Sequence, residues 1–285
     1  MPFVVPIDQA RKDYPEYTFV SGLTPSEQKA AFHVRDSTGA DLCLKIIAPN
    51  FDMDRLQREI LALQAIKNPN VVCLREYTFS TARGKQRHYL VEEFVAGSDL
   101  TPLLQAGAPW PLDKAQSFFA ALCDGLSALR AEAIVHRDLK PSNIRVRPDG
   151  SPVIIDFGLA RHLGLADLTR TSDGAAIGTP LYFAPEQFAG TKRDIDHRTD
   201  LFALGVLLYQ ALVGHHPFLA PGMTKLSELR DAVCGSVEFQ KDAVFLALPQ
   251  KWRMLMTRLL EKERARRPQD AAQVAAILRK LPVTP

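Results

Sequence analysis

"AIVHRDLKPSNIRVRPDGSPVIIDFG", Ala133 to Gly158, packs charge between two apolar runs. Ile134-Val135 leads into His136, Arg137, Asp138, Lys140 and Asn143. A turn at Pro148-Asp149-Gly150 follows, then Val153-Ile154-Ile155, then Asp156. A solvated loop carries charge too, but here both flanks read as buried. A hairpin-like strand–turn–strand between Asn143 and Asp156 can return Asp156 beside Asn143. A carboxylate and an amide carbonyl together suit a hard cation such as Mg²⁺ held with substrate phosphates. Asp138 can then orient a hydroxyl, and Lys140 can neutralise a phosphoryl group.

The bulk numbers are compatible with this reading. The chain has 285 residues, 46% hydrophobic and 24% charged, which suits a globular protein with a sizeable core. A net charge of +3 does not argue for a nucleic-acid or membrane partner. The densest basic run, Arg264-Ala265-Arg266-Arg267, is short enough to be a solvated helix end. Cys43, Cys73, Cys123 and Cys234 are scattered without metal-ligand spacing and read as small buried residues in a reducing compartment. The start of the chain has no signal-peptide pattern. The longest apolar run, Leu201 to Gly214, is too short to span a bilayer and reads as a buried helix. The expectation is a cytoplasmic protein.

Outward from the opening stretch, the chain divides in character. The first third reads as short strands: Tyr17–Leu23, Ala30–Asp36, Asp41–Ile47, Val71–Phe79 and His88–Val95. Ser37-Thr38-Gly39 turns one strand into the next. One helix interrupts, Asp52 to Ile66, with Leu56, Ile60, Leu63 and Ile66 at helical spacing. Beyond Gly97 the spacing predicts helices at Asp113–Glu132, Thr199–Leu212, Pro249–Glu263 and Gln269–Lys280, with Pro249 at the first helical position. The expected organisation is a β-rich part, 1–94, and a mainly helical part, 95–285. Ligand sites favour the cleft between such parts.

With these residues in place, the chain resembles the eukaryotic-type serine/threonine protein kinase family, in a bacterial style, over about Tyr17 to Leu281. H-R-D-L-K-P-x-N (His136–Asn143), D-F-G (Asp156–Gly158) and A-P-E (Ala184–Glu186) occur in the family's order and spacing. The resemblance implies an α+β, two-lobed protein-kinase fold: a small antiparallel β-sheet lobe with one main helix and a larger, mainly helical lobe. It implies ATP and Mg²⁺ as cofactors and a protein substrate with a Ser/Thr acceptor, with no nucleic acid and no direct membrane span. The oligomeric state stays open.

The resemblance also assigns roles. Asp138 accepts the proton of the attacking hydroxyl, and Asn143 and Asp156 hold Mg²⁺. Lys140 matches the serine/threonine branch. Lys45, in "DLCLKII", matches the strand lysine on the α- and β-phosphates, with Cys43 where the family usually has alanine; Glu59 is its helix partner. Glu93 and Val95, in the hinge "EEFVAG", fall at nucleotide-contacting positions. Asp99 either meets the ribose hydroxyls or caps a helix. His136 and Phe157 match packing residues, with Leu63 and Leu74. Thr179 matches the threonine that hydrogen-bonds the catalytic aspartate and lysine. Glu186 and Arg267 match a buried ion pair, and Asp200 the aspartate that braces the catalytic loop. Thr169, Thr171 and Ser172 are either phosphorylation sites, with Arg137 receiving the phosphate, or ordinary polar loop residues.

Three positions depart from the family pattern. The glycine-rich phosphate loop is absent: its glycine positions fall near Thr24, Ser26 and Lys29, and Pro25 removes an amide donor. Thr24, Ser26 and Lys29 then supply hydroxyl and ammonium contacts in place of backbone amides, or the loop no longer serves nucleotide. Glu92 occupies the gatekeeper position behind the adenine, usually apolar or small; it either turns toward Lys45 or the alignment is one residue off. Arg145 falls where the family often has leucine. Three functional readings result: a serine/threonine kinase, a pseudokinase that serves as a binding or scaffold module, and a small-molecule kinase. The last normally lacks "GTPLYFAPE" and the segment ending at Arg267.

Overall fold

The computed structural model describes residues 2–26, 29–48, 60, 63–82, 85–156, 179–189, 195–235 and 238–284. The chain separates into two compact units, Met1–Ala96 and Gly97–Pro285.

The first unit is built on a five-stranded antiparallel sheet of order β1-β2-β3-β5-β4. Its strands are β1 (Thr18–Gly22), β2 (Lys29–Arg35), β3 (Asp41–Ile47), β4 (Leu74–Ala82) and β5 (Lys85–Glu93). Alternation decides which side chains share a face. Ala30, Phe32 and Val34 of β2 lie opposite Ile46, Leu44 and Leu42 of β3. Leu44 and Ile46 in turn lie opposite Val91 and Tyr89 of β5. These apolar residues form one buried cluster with Ala10 and Tyr14. Ala10 belongs to a short helix, α1 (Ile7–Asp13), which the sequence reading did not anticipate. A seven-residue helix is marginal on its own, so packing holds it. Tyr14 stacks edge-on against Tyr89 with ring centroids 5.0 Å apart. The opposite face carries Cys43, Lys45, Leu90 and Glu92. Of the helix expected at Asp52–Ile66, only residues 60 and 63–66 are described; 60 and 63–65 are helical.

The second unit holds a small sheet of order β6-β7-β8 and a set of helices. The strands are β6 (Ser98–Asp99), β7 (Ile144–Val146) and β8 (Pro152–Ile154). The helices are α2 (Thr101–Gln105), α3 (Leu112–Ala131), α4 (Pro185–Phe188), α5 (His197–Val213), α6 (Leu226–Gly235), α7 (Ala243–Ala247), α8 (Gln250–Leu259) and α9 (Ala271–Leu278). Helix α5 is buried on nearly every side, as the apolar run Leu201–Gly214 predicted. Its Asp196 N-cap accepts a hydrogen bond from the Arg198 amide. Gly205 lets α8 approach closely: a Cβ there would lie 2.7 Å from Leu259 Cβ. Gln116 of α3 donates to the carbonyls of Leu278 and Leu281, tying α3 to the end of α9.

Some expectations shift. Pro249 is the N-cap of α8 rather than its first helical residue, with ψ 140, outside the helical range. Helices α2, α4, α6 and α7 lie outside the expected set; α2, α4 and α7 are too short to show a helical period. None of the four cysteines is in a disulfide; Cys43 and Cys123 are buried, but Cys234 is exposed and Cys73 only partly buried. Cys234 lies at the end of α6, whose core contacts come from Leu229 and Val233. Among the described residues no helix is long and apolar enough to cross a membrane.

Candidate active site

The segment between α3 and β7 folds by bonds that its own sequence order would not suggest. Arg137 has φ 63 and Asp156 has φ 56, left-handed values that are uncommon outside glycine. Strain of this kind persists only where the surroundings over-determine it. For Arg137 the surroundings are Asp200, at the start of α5. One Asp200 oxygen accepts from the His136 amide and the other from the Arg137 amide, both at 2.8 Å. Burial pushes the Asp200 carboxyl above the usual carboxylate range, opposed by the charges and amides of His136 and Arg137. His136 is fully buried. Its Nε2 meets the Ile155 carbonyl, and its Nδ1 accepts from the Asp138 amide. It is thus a hydrogen-bonded strut as well as a packing residue.

The loop delivers three functional groups to one place. Lys140 Nζ lies 2.9 Å from Asp138 Oδ2. Asn143 Nδ2 donates to the Asp138 carbonyl at 2.8 Å and to Oδ2 at 3.2 Å. With the amide nitrogen so engaged, Asn143 Oδ1 is the oxygen available to a cation. The Ile155 amide donates to the Asn143 carbonyl, which brings the next residue, Asp156, alongside. Among the described residues no group of three or more His, Cys, Asp or Glu side chains is arranged to hold a metal ion. An asparagine–aspartate pair completed by phosphate oxygens is a different donor set, and Asn143 with Asp156 fits it.

A second set of contacts fixes the segment after residue 178. Glu186 and Arg267 form a two-pronged ion pair, with contacts of 2.6 and 2.8 Å. Arg267 also donates to the carbonyls of Glu261, Arg198 and Lys262. Thr199 donates to the same glutamate. Two residues that the sequence reading passed over belong here. Gln187 donates to the Arg137 carbonyl and accepts from the Ala184 amide. His216 contacts the Leu181 carbonyl through Nε2, and burial pushes its imidazole down to about 4. A glutamine buried to 5% is a signal only once burial is known.

In the other unit, Lys45 and Glu92 form a buried ion pair, Nζ to Oε2 at 2.6 Å, each side chain 6% exposed. Glu92 therefore does turn toward Lys45. The register accounts for it: Lys45 lies opposite Leu90, so Glu92, two residues on, shares its face as the diagonal neighbour. In the β1–β2 hairpin the Ser26 amide donates to the Lys29 carbonyl, and the Ser26 carbonyl accepts from the Phe3 amide. Ser26 Oγ accepts from the Lys29 amide. Ser26 is thus bonded within its own turn, while Thr24 is exposed. Glu93 exchanges bonds with the Cys73 backbone. Val95 is buried. In the helical unit, Asp99 accepts from the Thr101 amide at the start of α2. Arg145 donates to the Gly97 carbonyl. Gly97 has φ 109, and a Cβ there would collide with the Val146 carbonyl, so only glycine fits. Glu59, Phe157, Thr169, Thr171, Ser172 and the Thr179 side chain lie outside the described residues.

The model of the protein kinase domain matches residues 30–278. The chain belongs to the protein kinase family. The kinase domain is 33% identical over 229 residues to the serine/threonine-protein kinase pkn2 of Myxococcus xanthus, covering 79% of this chain and 27% of that protein. It is 33% identical over 243 residues to the DNA damage-responsive serine/threonine-protein kinase RqkA of Deinococcus radiodurans, covering 83% of this chain and 35% of the relative. The kinase domain thus spans about a quarter to a third of the curated relatives it matches. Among solved structures, Rad53 1-466 in complex with AMP-PNP shares the fold, with TM-score 0.72 and 24% identity, covering 92% of this chain and 64% of that one. The two-lobed α+β protein-kinase fold follows.

Proposed function

We propose that this kinase domain is a serine/threonine protein kinase that transfers the γ-phosphoryl group of ATP to protein hydroxyls. The observation that carries the reading is the Asp138 carboxylate held between Lys140 and Asn143 on a loop braced by Asp200. Asp138 orients a substrate hydroxyl and takes its proton as the oxygen bonds to the γ-phosphorus and the bond to ADP breaks. Lys140, 2.9 Å from that carboxylate, neutralises charge on the moving phosphoryl group. Asn143 and Asp156 would hold Mg²⁺, which neutralises the nucleotide's phosphates. Lys45 contacts the α- and β-phosphates, with Glu93, Val95 and Asp99 at the adenine and ribose. Residues 1–94 act as the nucleotide-binding lobe and 95–285 as the catalytic and substrate-binding lobe. The kinase acts in the cytoplasm on a protein with a Ser/Thr acceptor.

The glycine-poor loop favours a second reading. The Ser26 amide closes its own turn. Backbone donation to phosphate is therefore reduced, and Thr24 and Ser26 offer hydroxyls instead. A pseudokinase would bind nucleotide without transfer. The discriminating experiment incubates the protein with labelled Mg-ATP and a generic basic protein, followed by phosphoamino-acid analysis. Phosphoserine or phosphothreonine supports the kinase; nucleotide binding with no phosphoamino acid supports the pseudokinase. Autophosphorylation at Thr171 or Ser172, read by Arg137, is part of the same proposal. Full activity after replacing both with alanine would remove that part alone.

A further inference from the structure

The Lys45–Glu92 pair has a consequence for how nucleotide is bound. In the proposed function, Lys45 must present an ammonium to phosphate from a buried position, and a buried charge is costly unless paired. In the family resemblance a helix carboxylate, Glu59, supplies that partner. A carboxylate on the neighbouring strand supplies it differently. Its position is fixed by backbone hydrogen bonds between β3 and β5, with no register shift between Leu42 and Ile47. Both side chains are buried, and the contact is short, 2.6 Å, as expected of a charge-assisted bond. Cys43, directly opposite Glu92, is small enough to leave the carboxylate room to reach across.

We propose that Glu92 is a positioning residue for Lys45: a carboxylate built into the sheet that holds the phosphate-binding ammonium in place. The proposal rests on the reading of Lys45 as the phosphate-binding lysine. Glu92 then acts on the phosphates through Lys45 and not on the adenine it stands behind. That distinction makes the effect selective for nucleotides that carry phosphate.

The test compares the affinity of Mg-ATP and of adenosine by calorimetry in the wild type, Glu92→Gln, Glu92→Asp, Lys45→Met and the Lys45→Met/Glu92→Gln double variant. Glu92→Gln keeps the shape and removes the charge. Adenosine binding reports in each case that the pocket is folded. The expected result is about tenfold weaker Mg-ATP binding in Glu92→Gln, a size usual for coupled neighbours, with adenosine unchanged. Lys45→Met should show the same selectivity, the double variant should be no worse than Lys45→Met, and Glu92→Asp should recover part of the loss. Should Glu92→Gln fail to fold, the double variant, which strands no charge, and Glu92→Asp carry the comparison. Equal weakening of ATP and adenosine would make Glu92 a packing residue of the adenine pocket and overturn the proposal. Unchanged or tighter ATP binding in Glu92→Gln would overturn it as well. A wild type that binds adenosine but gains nothing from the phosphates would instead overturn the assignment of Lys45, and the proposal with it.

Discussion

Arg137 adopts φ 63 while its amide donates to a buried carboxylate. The two facts belong together, because a left-handed residue other than glycine needs such a tether. Replacing Asp200 with alanine orphans two amides, the buried one of His136 and the part-buried one of Arg137. At about 1–3 kcal/mol for each stranded donor, the loss should be about 3 kcal/mol. Urea titration measures it, and a loss within error of zero would contradict the role given to Asp200. A second residue yields a pH-dependent prediction. Lys262 Nζ sits 4.1 Å from the centroid of the Phe218 ring. Among the described residues it has no hydrogen-bond partner. Burial pushes the ammonium down to about 8 from 10.5. The folded value lies below the unfolded one. Between them the unfolded chain keeps a proton that the folded chain has lost, so this group's contribution to stability rises with pH across that window. Below about 8 both states are charged and the full burial cost is felt. Lys262→Met should therefore stabilise the protein at about pH 7, by about 1 kcal/mol once solvent screening is allowed for, and by less at about pH 10. An equal gain at both pH values would count against this account.

At the scale of elements, one ion pair joins three pieces distant in sequence. Glu186 stands in α4, Thr199 beside it in α5, and Arg267 follows the turn Arg264–Arg266. Removing one member of a buried pair strands the other, at about 3–5 kcal/mol. Arg267→Met should lose an amount in that range, with Glu186→Gln/Arg267→Met together losing less than Arg267→Met alone. Chemical denaturation of the three proteins decides it; additive losses would show that the two side chains are not coupled. This pair was legible only through the family resemblance, which matches Glu186 in A-P-E and Arg267 in a separate segment to the two halves of a buried ion pair. Gln187 and His216 were not. Their partners, the carbonyls of Arg137 and Leu181, lie 50 and 35 residues away, and no local pattern announces a side chain that bonds to backbone. Helix α1 was hidden for a related reason: it is short, follows Pro6, and forms against an apolar sheet face that exists only after β2, β3 and β5 pair. Strands β2, β3 and β5, by contrast, showed themselves by apolar runs and a clear turn, within two or three residues of their ends.

For the molecule as a whole, the grouping of the candidate site was readable because the motif keeps Asp138, Lys140 and Asn143 within one short loop, and β7–β8 returns Asp156 beside it. Glu92 was readable as an anomaly with two accounts, a turn toward Lys45 or a shifted alignment, and only the strand register and the ion pair decide for the first. In the proposed transfer, Asp138 takes the proton of an attacking hydroxyl. The most direct measurement is the intact mass of the protein, with a generic protein substrate present, before and after incubation with Mg-ATP, for the wild type and for Asp138→Asn. Added phosphate is expected on the protein or its substrate with the wild type and none with Asp138→Asn, while both bind ATP. Phosphate added equally by the two, or by neither although both bind ATP, would contradict it.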